Sequence, residues 1–254
     1  MASPTLPQEK DGTQSPQEKD VLASIIGLTQ LTLDKADADN WELKTEYYVK
    51  QQKMWPTSGR HILAHYDAES VIVYQAFKAS IATFAVTNQR FGGSSYSFER
   101  MSWIKTSFMW MMYRCGWGQK TNQERVLAIR VSRKGFDDIL SKAYTIKKQK
   151  EEGLETKDIE VRLQWDPDHD SQGEKLTRKA IQLGLKGKTL LNFSGQYILN
   201  IKDITDFVNE QCSTLQKHGL SNLVTPLEQI YIPSDEKIVQ HIDLEFYEQP
   251  TITG

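Results

Sequence analysis

The chain has 254 residues, with 31 Lys and Arg against 33 Asp and Glu and a 39% hydrophobic content, enough for one domain whose core needs no disulfides. Its two cysteines, Cys115 and Cys212, stand far apart with no CxxC, which excludes a disulfide framework and a cysteine zinc site and suits a reducing, cytoplasmic setting. No apolar run approaches the roughly 18 residues of a membrane span, and the polar start MASPTLPQEKDG lacks the basic-then-apolar pattern of a secretory signal.

The pentapeptide PQEKD occurs at Pro7 to Asp11 and again at Pro16 to Asp20 in a stretch with almost no apolar content. That composition predicts a disordered or linker tail over residues 1–40, in which only Val21 to Leu33 is apolar enough for a short helix or strand. One domain is expected over residues 41–233, followed by an acidic tail over 234–254. His61 to Tyr66 is short and reads as a strand, with Asp67 placed to N-cap the next element. Val73, Phe77, Ile81 and Phe84 then recur at helical spacing, predicting a helix from Glu69 to Gln89. FGGSSYS reads as a loop.

The run Arg100 to Lys120, RMSWIKTSFMWMMYRCGWGQK, holds three of the six Trp, four of the six Met and four positive charges. Read as a helix over Ser102 to Cys115, it puts Ile104, Phe108, Met111 and Cys115 on a core stripe. Trp103, Ser107, Trp110 and Arg114 then form a second face, a mixture of indole, hydroxyl and guanidinium that core packing does not require. Gly116 ends this helix. Arg125 to Val131 is a strand, Gly135 to Lys148 a helix, and the charged run after it a connector. Ile159 to Trp165, Ala180 to Leu185 and Tyr197 to Ile201 are strands, and Asp203 to Lys217 is an amphipathic helix with Ile204, Phe207, Val208 and Leu215 inward. Strands and helices are interspersed without strict alternation, so the expected class is α+β, one mixed-sheet domain with flanking helices.

Charge is segregated along the chain. Arg100 to Lys134 carries eight Lys or Arg and one acid, Glu124, whereas Ser234 to Gly254 carries five acids and one Lys. The basic block favours an anionic partner, a nucleotide or nucleic acid, unless the acidic tail folds onto it. No nucleophile elbow, phosphate loop or dinucleotide fingerprint is present. His61 and His65 lack the HExxH context of a zinc site. Asp166, Asp168 and Asp170 alternate as in calcium loops, but Ser171 and Thr177 stand where the turn glycine and bidentate glutamate belong, so no metal is expected. Asp166, at the end of a strand, is left as an acid/base or electrostatic candidate.

RHILAHYD at Arg60 to Asp67, VYQAF at Val73 to Phe77, RMSWIKTSFMWMMYR at Arg100 to Arg114, QWDP at Gln164 to Pro167 and RKAIQ at Arg178 to Gln182 together resemble the family known as domain of unknown function 4291. The resemblance spans Trp55 to Val208, and His65 departs from it where Gln is more usual. An Arg-bearing early strand, an aromatic wall and an acidic or amide residue on a later strand are also similar to the ADP-ribosyltransferases. This second likeness implies a nucleotide-using transferase acting on NAD as its anionic nucleotide ligand, with nucleic acid or a protein as acceptor. Arg60, Lys105 and Arg114, joined by Arg100 from the basic block, would hold the phosphates. Tyr66 and Trp103 would flank the ring or ribose, with Ser107 and Trp110 on the same wall, and Gln164 or Asp166 would steady a cationic transition state. The usual glutamate has no counterpart, since Glu160 falls mid-strand. The alternatives are a nucleic-acid module with a basic-aromatic groove and a non-enzymatic interaction protein.

Overall fold

A computed structural model of the chain describes residues 41–247, so the expected tail over 1–40, the Val21 to Leu33 segment and the last seven residues lie outside the described residues. The elements are β1 (Thr45–Tyr47), α1 (Tyr48–Gln52), β2 (Ile62–Ala64), β3 (Ser70–Phe77), α2 (Ala79–Asn88), β4 (Ser102–Lys105), α3 (Phe108–Cys115), β5 (Arg125–Ser132) and α4 (Arg133–Ser141). They continue with β6 (Ala143–Tyr144), α5 (Ile146–Glu151), β7 (Val161–His169), β8 (Lys175–Leu185), α6 (Gly187–Asn192), β9 (Ile198–Asp203), α7 (Thr205–His218), β10 (Val224–Pro226), β11 (Gln229–Tyr231) and α8 (Glu236–His241). Seven strands form one sheet in the order β6-β7-β8-β4-β3-β5-β9. Only β6 and β7 run parallel within it, which makes the sheet mixed and the fold α+β. Two small antiparallel pairs, β1 with β10 and β2 with β11, lie apart from it. No helix among the described residues is long and apolar enough to cross a membrane.

Alternation along the strands gives the sheet two different faces. On one, Val71 and Val73 of β3, Ile104 of β4, Leu127 and Ile129 of β5, Leu163 of β7 and Leu183 of β8 form the main apolar cluster, closed by Ala82 and Ala85 of α2, Phe136 and Ile139 of α4 and Leu190 of α6. The other face carries Tyr74, Lys105, Gln182 and Gln164, which stand opposite one another across four strands. Here α3 packs, with Phe108 edge-on to Tyr74 at 5.7 Å between ring centres.

Four expected elements are corrected. The predicted Glu69 to Gln89 helix is strand β3 followed by α2, because a spacing of four is even and aligns Val73 with Phe77 on one face of a strand as well as of a helix. The β-branched run SVIVYQAF decides for the strand. Asp67 closes a turn instead of capping a helix, accepting from the Glu69 and Ser70 amides at 2.9 and 2.7 Å. The predicted Ser102 to Cys115 helix is likewise divided. Ser102 to Lys105 pairs with β8, and α3 starts only at Phe108, ending at Gly116 with φ 59° as expected. Gly135 to Lys148 is broken into α4, β6 and α5. β7 runs on to His169, so Asp166 and Asp168 lie within it and only Asp170 follows it, with a register shift between Pro167 and His169.

The C-terminal boundary also moves. Ile238, Val239, Ile242 and Leu244 are buried in the main cluster, so residues 234–244 belong to the domain. Their spacing covers one side of a short helix. Among the described residues no acid of the C-terminal segment forms an ion pair with the basic block: Glu245 pairs with Arg60 at 3.3 Å, and the Arg60 Nε donates to the Asp243 carbonyl at 2.8 Å.

Candidate functional site

β3 and β4 meet through a single register pair, Tyr74 with Lys105. Beyond it they diverge, and the gap is the wall of a cleft of about 660 Å³ lined by both strands, by the loop before β4 and by α3. Gln75 bridges the divergence. Its Nε2 donates to the Trp103 carbonyl at 3.0 Å and to the Ser102 hydroxyl at 2.8 Å, satisfying a backbone acceptor that a paired strand would otherwise occupy.

Four cations line this cleft, Lys78, Arg100, Lys105 and Arg114, and no Asp or Glu does. None of the four forms an ion pair among the described residues. Three come from separate places, the end of β3, the loop before β4 and the last turn of α3, so their convergence is a product of the fold. Trp103 completes the wall, opposite Gly184 in register. A Cβ on residue 184 would run into the Met101 sulfur and lie 2.9 Å from the Trp103 ring, so a larger residue there would displace both side chains.

Lys105 differs from the other three in being buried, with 4% of its surface exposed. Its Nζ donates to the Trp103 carbonyl at 3.3 Å and lies 5.2 Å from the Trp110 ring centre. Burial, aided by the Arg114 charge and opposed by Asp166, brings the ammonium from 10.5 down to about 7. Lys105 therefore gives up its proton far more readily than an ordinary lysine, and its free amine is able to take up a proton from a ligand. Asp166 is shifted the other way, raised by burial against the hydrogen bond from Gln182 and the Lys105 charge. Gln182 ties Asp166 to Gln164: its Nε2 donates to Gln164 Oε1 at 2.7 Å and to Asp166 Oδ2 at 2.6 Å, while the residue itself lines the cleft.

The structure thus brings together Arg100, Trp103, Lys105 and Arg114 in the cleft and sets Gln164 and Asp166 behind Gln182. The other expected residues stand elsewhere. Trp110 is buried and does not line the cleft, supporting Lys105 from beneath. Arg60 ties down the C-terminal segment, and the Tyr66 hydroxyl donates to the Ile230 carbonyl at 3.1 Å. Glu160 accepts from the Thr189 amide and hydroxyl at the start of α6. Ser107 is the N-cap of α3, accepting from the Trp110 amide at 3.3 Å and donating to Asp168 at 3.2 Å. Ser107→Ala is accordingly expected to cost about 1 to 2 kcal/mol of stability without changing ligand affinity, measured by urea unfolding beside a titration.

Gln75 and Gln182 do not stand out as site residues in the sequence, although each leaves a signal there. Both are lone amides in otherwise apolar strands, VIVYQAF and KAIQLGL, where a polar side chain calls for a partner.

A sequence model of the family described as Domain of unknown function (DUF4291) matches residues 61–231, more than half of the chain. The chain belongs to that family. A search of the curated proteins returns no match.

Proposed function

We propose that this member of the family binds a phosphate-bearing nucleotide in the cleft between β3 and β4 and acts as a transferase on it, with NAD as the first donor to test. The observation that carries the reading is the charge of the lining: four cations and no carboxylate around one cleft. Nucleotide phosphates fit such a lining, through charge-assisted hydrogen bonds from Arg100 and Arg114. The Trp103 indole supplies an apolar surface for a ring or ribose. Asp166, held by the lining residue Gln182, is the group that would answer to a developing positive charge.

Each of Arg100→Ala and Arg114→Ala should weaken nucleotide binding roughly 10- to 150-fold, since a charge-assisted bond contributes about 1.5 to 3 kcal/mol. Both guanidiniums are exposed, so folding should change little. The experiment is a thermal-shift panel of NAD, ADP and a short single-stranded RNA, followed by titration of the best ligand at several salt concentrations. A ligand at one hundred times its dissociation constant adds about 2.7 kcal/mol of stability. A nucleotide should show a shallow salt dependence, whereas a strand neutralising several phosphates loses about 0.7 in log K per phosphate per decade of salt. Wild-type affinity in both arginine variants sinks the anion site. RNA binding with a steep salt slope, and none by nucleotides, transfers the site to nucleic acid.

A further inference from the structure

Two glutamine side chains in the cleft wall are held by their NH2 groups alone. For Gln75 the orientation is forced, because the Trp103 carbonyl only accepts and must face Nε2. Its Oε1 is then left inside the protein with no donor, in a residue 3% exposed that lines the cleft. Gln182 is arranged in the same sense, with Nε2 engaged by Gln164 and Asp166. Beside the four cations, two glutamines of the wall thus have their NH2 groups engaged, and the Gln75 oxygen, a pure acceptor, is buried and unmatched behind the cleft surface. A buried acceptor without a donor is costly and uncommon in a folded protein. In a cleft wall, a ligand that brings the missing donor resolves it.

We propose that the ligand of this cleft carries an N–H donor on its ring system, as an amino or carboxamide group, and that Gln75 reads it. The inference rests on the phosphate-binding role proposed above and deepens it: the cations hold the anionic part, and Gln75 separates rings that offer an N–H from isosteres that do not. A site built around an acceptor rejects an analogue lacking the donor, because the acceptor is then left unpaired.

The test is isothermal titration with two matched pairs. One is ADP and purine riboside 5′-diphosphate, which lacks the exocyclic amine. The other is NAD and its 3-acetylpyridine analogue, in which a methyl replaces the carboxamide nitrogen. Wild-type protein should prefer the donor-bearing member of at least one pair by roughly 10- to 100-fold. That preference should shrink to within about threefold in Gln75→Met and in Gln75→Asn, whose shorter amide withdraws the oxygen. Ser102→Ala, which removes one Nε2 partner and leaves the Trp103 carbonyl to orient the amide, should keep it. The inference is overturned if wild type binds both members of each pair equally, or if a folded Gln75 variant keeps the full preference. Equal binding leaves the phosphate reading standing. Failure of all four compounds to bind wild type removes both.

Discussion

Lys105→Met should give a protein more stable than the wild type at neutral and acidic pH. Folding buries this ammonium and lowers its pKa from 10.5 to about 7. Below about pH 7 both states are protonated and the folded one bears the full desolvation penalty. Between about 7 and 10.5 the unfolded chain holds the proton that the folded chain has released, so wild-type stability climbs with pH. At ~1.4 kcal/mol per tenfold change in proton affinity the penalty amounts to several kcal/mol. Losing the bond to the Trp103 carbonyl and the contact with Trp110 offsets part of it, leaving an expected gain of about 2 to 3 kcal/mol at pH 6. Urea unfolding of both proteins at pH 6, 8 and 10 checks the sign: the advantage of the variant should be greatest at pH 6 and shrink toward pH 10. A gap that is absent at pH 6, or constant with pH, contradicts the assignment. Nucleotide binding should fall in the same variant, the pattern expected where a residue is kept for function at the expense of stability.

Asp168→Ala should have the opposite and larger effect. Asp168 Oδ2 accepts from Arg178 Nη2 at 2.7 Å and Nε at 3.0 Å, and the pair is almost wholly buried. The remaining arm of Arg178 donates to the Pro56 carbonyl at 2.7 Å, and its guanidinium lies over Trp55. Removing the carboxylate leaves this buried cation without its hydrogen-bonded counter-ion, a loss of about 3 to 5 kcal/mol, which the buried Glu228 carboxyl, within electrostatic reach of both members of the pair, could offset only by ionising. The double change Asp168→Leu with Arg178→Met should recover most of that loss, because no buried charge remains. Denaturant midpoints of the single and double variants decide it; a double variant as unstable as Asp168→Ala would show that shape, not charge, holds this corner.

Legibility in the sequence depends on the range of the interactions. The strands at Arg125 to Val131 and Ala180 to Leu185 are readable as short apolar runs and the helix at Asp203 to Lys217 by its apolar stripe, because these patterns are local. Val73 and Phe77 mislead because a spacing of four serves helix and strand alike. Ser102 to Lys105 misleads because its identity as a strand comes from β8, about eighty residues later. At the site, Arg100, Trp103, Lys105 and Arg114 stand out through composition. The separation of Trp103 from Trp110 is hidden by the break at Thr106 and Ser107, which turns one indole toward the cleft and the other beneath Lys105. Gln75 lies within the VYQAF motif with no visible role, since its importance rests on which atom of its amide is already engaged.

The lone pairing of Tyr74 with Lys105 makes the large sheet, mechanically, two sheets joined at one stitch. β6-β7-β8-β4 and β3-β5-β9 are laced by ladders of their own, while in strand hydrogen bonding the seam between them has one register pair and a glutamine, and the apolar cluster beneath spans both halves. Sub-global opening would follow that line, since few backbone bonds cross it. A ligand gripped by residues of both halves would act as a second stitch, so that occupancy is felt as rigidity by strands that never touch the bound molecule.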